Sequence, residues 1–102
     1  MRKWIFNGEQ QVFDERNRKI RLEYYLEEDM RDICQGTCLY GIRILMYREK
    51  NGCEEVENGI APAISYSREF VKCLLDKMQR MAVTPTSLPE IVDDETGIIP
   101  LA

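Results

Sequence analysis

Between Ile20 and Glu27 the chain alternates without a break. Ile20, Leu22, Tyr24 and Leu26 fall on one side, and Arg21, Glu23, Tyr25 and Glu27 on the other. Side chains of an extended chain point to opposite faces in turn, so this pattern predicts a strand with one face buried. The run CLYGIRILMYREK at 38–50 is apolar on nearly both faces. Tyr40, Ile42, Ile44 and Met46 share one side, while Leu39, Leu45 and Tyr47 share the other with Arg43. Such a strand belongs in the centre of a sheet. The polar stretch 29–37 between the two runs reads as a connection.

Asn-Gly dipeptides at 7–8, 51–52 and 58–59 punctuate this part of the chain. Both residue types tolerate the positive φ that tight hairpins require, so each dipeptide predicts a turn. The first would fold KWIF onto QQVF, and the charged knuckle DERNRK (14–19) would then lead into the alternating strand. The second would pair the central strand with CEEVE (53–57). A two-residue loop there sets Glu49 opposite Glu54, an unfavourable like-charge pair. A longer turn with a glycine bulge is therefore expected.

The period changes after Ser65. In 67–82 the residues Phe70, Val71, Leu74, Leu75, Met78, Met81 and Ala82 gather on one side of a helical projection, with Glu69, Lys72, Asp76 and Arg80 opposite. Ser65 or Ser67 can cap its start. Pro85 lacks an N–H and disfavours a helical Thr84, which ends the helix near Ala82–Val83. Ser87-Leu88-Pro89-Glu90 then fits a capping box, and Leu88, Ile91 and Val92 form a short apolar stripe. Asp93, Asp94 and Glu95 sit at the wrong end of that second helix for its dipole and are read as a solvated polar end.

These elements predict an α+β fold. An antiparallel sheet of four to five hairpin-connected strands carries one long amphipathic helix on one face, followed by a short C-terminal helix. The expectation is a single domain over residues 1–102, with 96–102 a flexible or docking tail. A sheet covered on one face leaves the other free. Here that face would carry Tyr25, Leu39, Leu45 and Tyr47, more apolar than a solvent face. The second helix with the GIIPLA tail, or a second copy of the chain, could cover it.

Composition narrows the chemistry. The chain has 102 residues, 44% of them apolar, and a net charge of −4, which argues against a nucleic-acid or anionic-membrane partner. No apolar run is long enough for a transmembrane helix, and MRKWIFNGEQQ has no apolar stretch of signal-peptide length. A cytoplasmic location is expected, with Cys34, Cys38, Cys53 and Cys73 as reduced thiols. The absence of histidine removes Ser–His and Cys–His pairs and histidine-ligated metals. No catalytic, cofactor-binding or metal-ligating residue is assigned, and no cofactor is expected. Two alternatives carry some chemistry: Cys34 and Cys38 as a redox pair or part of a cysteine metal site, and the basic knuckle Arg16, Arg18, Lys19 and Arg21 as a weak nucleic-acid contact.

A resemblance adds lineage. Tyr40-Gly41-Ile42, then Ala63-Ile64-Ser65 and Ser67 before the helix, then Val83-Thr84-Pro85, Leu88, Ile91-Val92 and Asp94 resemble a family of short uncharacterised proteins from clostridial Firmicutes. In that family a helix meets a Val-Ser/Thr-Pro break and a short acidic helix follows. The resemblance covers roughly the last two-thirds of the chain and implies a fold and a bacterial, cytoplasmic setting. The family has no established activity, so no catalytic residue carries over. The expected function is a small non-enzymatic interaction or regulatory protein, a homodimer or the partner of another protein.

Overall fold

The computed structural model describes residues 2–32 and 36–96. Four strands run in chain order: β1 (Arg2–Phe13), β2 (Lys19–Asp32), β3 (Thr37–Lys50) and β4 (Cys53–Ser65). Two helices follow, α1 (Arg68–Arg80) and α2 (Leu88–Thr96). The strands form one antiparallel sheet in the order β1-β2-β3-β4, so the expected α+β architecture holds with four strands. The alternation in β2 and β3 sorts as the pattern predicts. Leu22, Tyr24, Leu26, Ile42, Ile44 and Met46 are buried against Val71, Leu74, Leu75 and Met78 of α1.

Only one of the three Asn-Gly dipeptides is a turn. Asn51 and Gly52 have φ of 54° and 81°, and Lys50 pairs with Cys53. This is the strict two-residue hairpin, not the longer bulged turn. Positive φ at both central residues matches the twist of the flanking strands, and this outweighs the Glu49–Glu54 pairing that results. Arg21 stands 3.9 Å from Glu54 and relieves part of that repulsion.

Asn7-Gly8 is instead a bulge inside β1, where the register shifts between Phe6 and Gly8. The Asn7 side-chain amide leaves the ladder and donates to Asp76 (2.9 Å) and Gln79 (2.8 Å) of α1, while its oxygen accepts from Lys72. The β1–β2 turn falls at Asp14–Arg18. Asn17 takes a φ of 61° there, and the Asp14 carboxylate accepts from the Arg16 and Arg18 amides at 2.9 and 2.8 Å. Those backbone hydrogen bonds, that of Arg18 first, hold the Asp14 carboxyl below its ordinary pKa.

Asn58-Gly59 lies within β4, which runs on to Ser65. A Cβ at Gly59 would come within 2.8 Å of Pro85, so this glycine admits the linker between the helices. In the polar stretch 29–37, residues 29–32 continue β2, since Asp29 and Met30 still pair with Leu39 and Cys38.

Ser67 caps α1 by accepting the Phe70 N–H at 3.2 Å. The helix ends two residues earlier than expected, at Arg80. Ala82 adopts a φ of 52°, and the Ala82 and Val83 amides donate to the Gln79 and Met78 carbonyls at 3.2 and 3.0 Å. These are the paired bonds of a Schellman C-cap. Tyr24 locks this corner to the sheet, its hydroxyl donating to the Val83 carbonyl at 2.8 Å. Phe70 and Met81, expected in the core stripe, are 42% and 61% exposed. They lie on the flank of α1 away from Lys72, Asp76 and Gln79. The Asn7 network draws that polar flank toward β1, and the core face centres on Val71, Leu75 and Met78.

α2 packs on the same side of the sheet as α1, and Leu88 joins the core. Ser87 directly precedes α2, and its carbonyl accepts the Ile91 N–H at 3.1 Å. Its hydroxyl meets Thr84 Oγ1 at 3.4 Å rather than closing the expected capping box. α2 therefore does not cover the opposite face of the sheet. Of the expected tail at 96–102, Thr96 is the last residue of α2 and 97–102 lie outside the described residues.

Candidate interaction face

The face of the sheet turned away from α1 is built by the odd positions of β2 and β3. The register sets Arg21 beside Tyr47, Glu23 beside Leu45, Tyr25 beside Arg43, Glu27 beside Gly41 and Asp29 beside Leu39. All four residues expected on this face, Tyr25, Leu39, Leu45 and Tyr47, are on it and half-buried. β1 adds Trp4 and Phe6 on one side of its bulge, and Phe13 on the other. β4 adds Glu54, Val56, Asn58 and Ile60.

Sequence reasoning missed the contributions of the edge strands. A hairpin placed at Asn7-Gly8 breaks β1 in two. Ending β4 at Glu57 removes Ile60. The alternation of Trp4 and Phe6 was the available signal, but the bulge reverses the parity of the rest of β1 relative to it.

The face is neither oily nor simply charged. Phe6 and Tyr25 meet edge to face, with ring centroids 5.5 Å apart. The Tyr25 hydroxyl donates to Glu23 at 2.9 Å, and burial together with that carboxylate pushes its pKa up to about 12. Arg21 lies over the Tyr47 ring at 4.3 Å from its centroid and stands between Glu9 (3.9 Å) and Glu23 (3.6 Å). Arg43 lies over the Trp4 ring at 3.7 Å and donates to Asn58 at 2.9 Å. These contacts fix long side chains in place on an open surface.

At the hairpin end the face dips into a depression of about 450 Å³ lined by Lys19, Arg21, Tyr47, Arg48, Glu49 and Glu54 among others. Cations and carboxylates are interleaved there, so the depression is no anion cradle. Two of the four cations of the basic knuckle are similarly occupied. Arg18 is paired with Asp14 at 3.0 Å and Arg21 with its three carboxylates.

The described cysteines do not converge. Cys38 opens β3, and Cys53 follows the hairpin at its far end, roughly 40 Å away along an extended strand. They cannot share one metal ion. Cys73 is exposed on α1, and Cys34 lies outside the described residues. No group of three or more potential metal ligands occurs among the described residues. Asp93 and Asp94 are exposed at the end of α2, and the Glu95 side chain is not among those described. No described helix is long and apolar enough to cross a membrane.

No curated protein and no solved structure matches the chain. The family model for the family of unknown function DUF6514 matches residues 3–97. That match spans all four strands and both helices, including the open face, and the chain belongs to the DUF6514 family.

Proposed function

We propose that the chain is a small non-enzymatic interaction module of the cytoplasm that docks a second copy of itself through the open face of its sheet. One observation carries the reading. Phe6, Phe13, Val56 and Ile60, exposed by 55%, 63%, 55% and 39%, all project from this face around half-buried Trp4, Tyr25, Leu39, Leu45 and Tyr47. Exposed apolar side chains gathered on one face in that number mark an interaction site.

Size and chemistry favour a copy of the chain as occupant. Four strands about 4.8 Å apart and some 40 Å long present roughly 800 Å², which is about what each partner contributes to a standard stable interface. Tyrosine, tryptophan and arginine are the residues that dominate such interfaces. Both signs of charge alternate across the face, so two identical faces can meet without net repulsion.

Sedimentation at micromolar concentration tests the proposal. The wild type is expected to sediment as a dimer. Leu45→Glu, at the centre of the face, is expected to sediment as a monomer with an unchanged circular dichroism spectrum. A monomeric wild type at the highest soluble concentration would refute the reading.

A further inference from the structure

Every carboxyl group that the middle of β2 presents to the open face has a partner, except one. Glu23 accepts the Tyr25 hydroxyl, and Asp29 is held by Arg2 at 3.7 Å and Arg31 at 3.0 Å. Glu27, between them, is 0% exposed, and among the described residues neither of its oxygens has a hydrogen-bond partner. Burial on an uncovered face needs a roof, and the register identifies it.

Glu27 is flanked by Trp4 on β1 and Gly41 on β3. Trp4 and Arg43 stand on the strands either side of β2, so their stacked contact is made above β2. On the other side β4 bulges. Tyr40 pairs with Ser65 and Ile42 with Ala61, which leaves Pro62, Ala63 and Ile64 opposite Gly41 alone. A Cβ on Gly41 would come within 2.5 Å of the Ala61 carbonyl oxygen, so the bulge closes over Gly41. Glu27 is thus the β2 residue between Trp4 and Gly41, beside the Trp4–Arg43 contact and the bulge of β4.

An unpaired buried carboxyl group destabilises the fold, and an apolar residue would remove that penalty. A carboxylate beside an aromatic residue is, however, the chemistry that binds a cation: the acid supplies charge and the ring supplies its negative quadrupole. We propose that Trp4 and Glu27 form a cation-recognition subsite within the docking face, filled in the dimer by an arginine side chain of the second copy. Arg43 occupies the ring in its absence and withdraws toward Asn58, to which it is already bonded. Two identical faces supply the cation themselves, since each carries Arg2, Arg21 and Arg43. The subsite rests on the docking reading for its occupant, but its chemistry is separable from it.

Trp4 is the sole tryptophan, so its fluorescence reports the subsite directly. Ethylguanidinium titrated into the monomeric Leu45→Glu variant is expected to change Trp4 emission, and to have no effect when Glu27→Gln is added. Glu27→Gln alone is expected to raise the melting temperature of dilute protein by about 4–8 °C and to weaken dimerisation at least tenfold. A lower melting temperature would show that Glu27 has an internal partner such as Arg43, and would overturn the subsite. A wild-type dimer whose affinity Glu27→Gln leaves unchanged, with no response to ethylguanidinium, would retain the docking face and remove the subsite. A monomeric wild type that still responds through Glu27 would retain the cation site and remove the second copy as its occupant.

Discussion

Ala82 closes α1 in a conformation that an L-residue adopts at a cost of about 1–2 kcal/mol, because its φ is 52°. Glycine has no such penalty. Ala82→Gly is therefore expected to stabilise the fold by roughly 0.5–1 kcal/mol in urea unfolding, less whatever packing the methyl group makes against the core. Asp14 acts through charge instead. Its folded pKa is depressed from 3.8, so its contribution is present above that value and lost as pH falls through the lower, folded one. Asp76, lowered by hydrogen bonds from Lys72 and Asn7, has the same sign. Acid titration is expected to destabilise the wild type below about pH 4 more steeply than an Asp14→Asn, Asp76→Asn variant. At this scale the centre of the helix face was legible, but its Phe70 and Met81 flank was not. Cys73 is exposed and Met78 fully buried, as a projection at about 100° per residue places them. Glu27 was not legible, because its burial depends on residues of β1, β3 and β4 that no local pattern brings together.

The legibility of each strand follows from its place in the sheet. β2 and β3 are central, with cross-strand neighbours on both sides, so their middle positions toward α1, Leu22 to Leu26 and Ile42 to Met46, are apolar and the alternation there is clean. β1 and β4 are edges that bend to meet other parts of the fold. There Asn-Gly serves purposes other than turning. Asn7 reaches α1, and Gly59 yields to Pro85. A turn signal is a statement about backbone freedom, and a bulge or a close approach uses the same freedom. Two substitutions separate these uses. Gly52→Ala, at a φ of 81°, is expected to cost about 1–2 kcal/mol through backbone strain alone. Gly41→Ala is expected to cost about 1–3 kcal/mol or more through overpacking against Ala61 and Pro62. The first variant should keep the open face intact. The second should expose Glu27 and shift Trp4 emission.

Across the whole molecule, sheet order equals chain order. The α+β class was therefore readable from one period-two region followed by one period-3.6 region, with no crossover to resolve. Which face stays uncovered was not readable, because α2 could have folded to either side. Its side is decided by Leu88 entering the core and by the Tyr24–Val83 hydrogen bond. The same simple order leaves β4 with an outer edge whose backbone groups have no neighbouring strand among the described residues. Residues 53–58 of that edge are exposed and carry Glu54, Glu55 and Glu57, and Pro62 interrupts it further on. Charges on a bare edge repel a second edge and keep strands from adding in series. Replacing the three glutamates by threonine leaves the hairpin its β-propensity and removes this repulsion. The variant is expected to form thioflavin-positive filaments under conditions where the wild type remains clear, with growth confined to the 53–60 segment by the proline and the bulge beyond it.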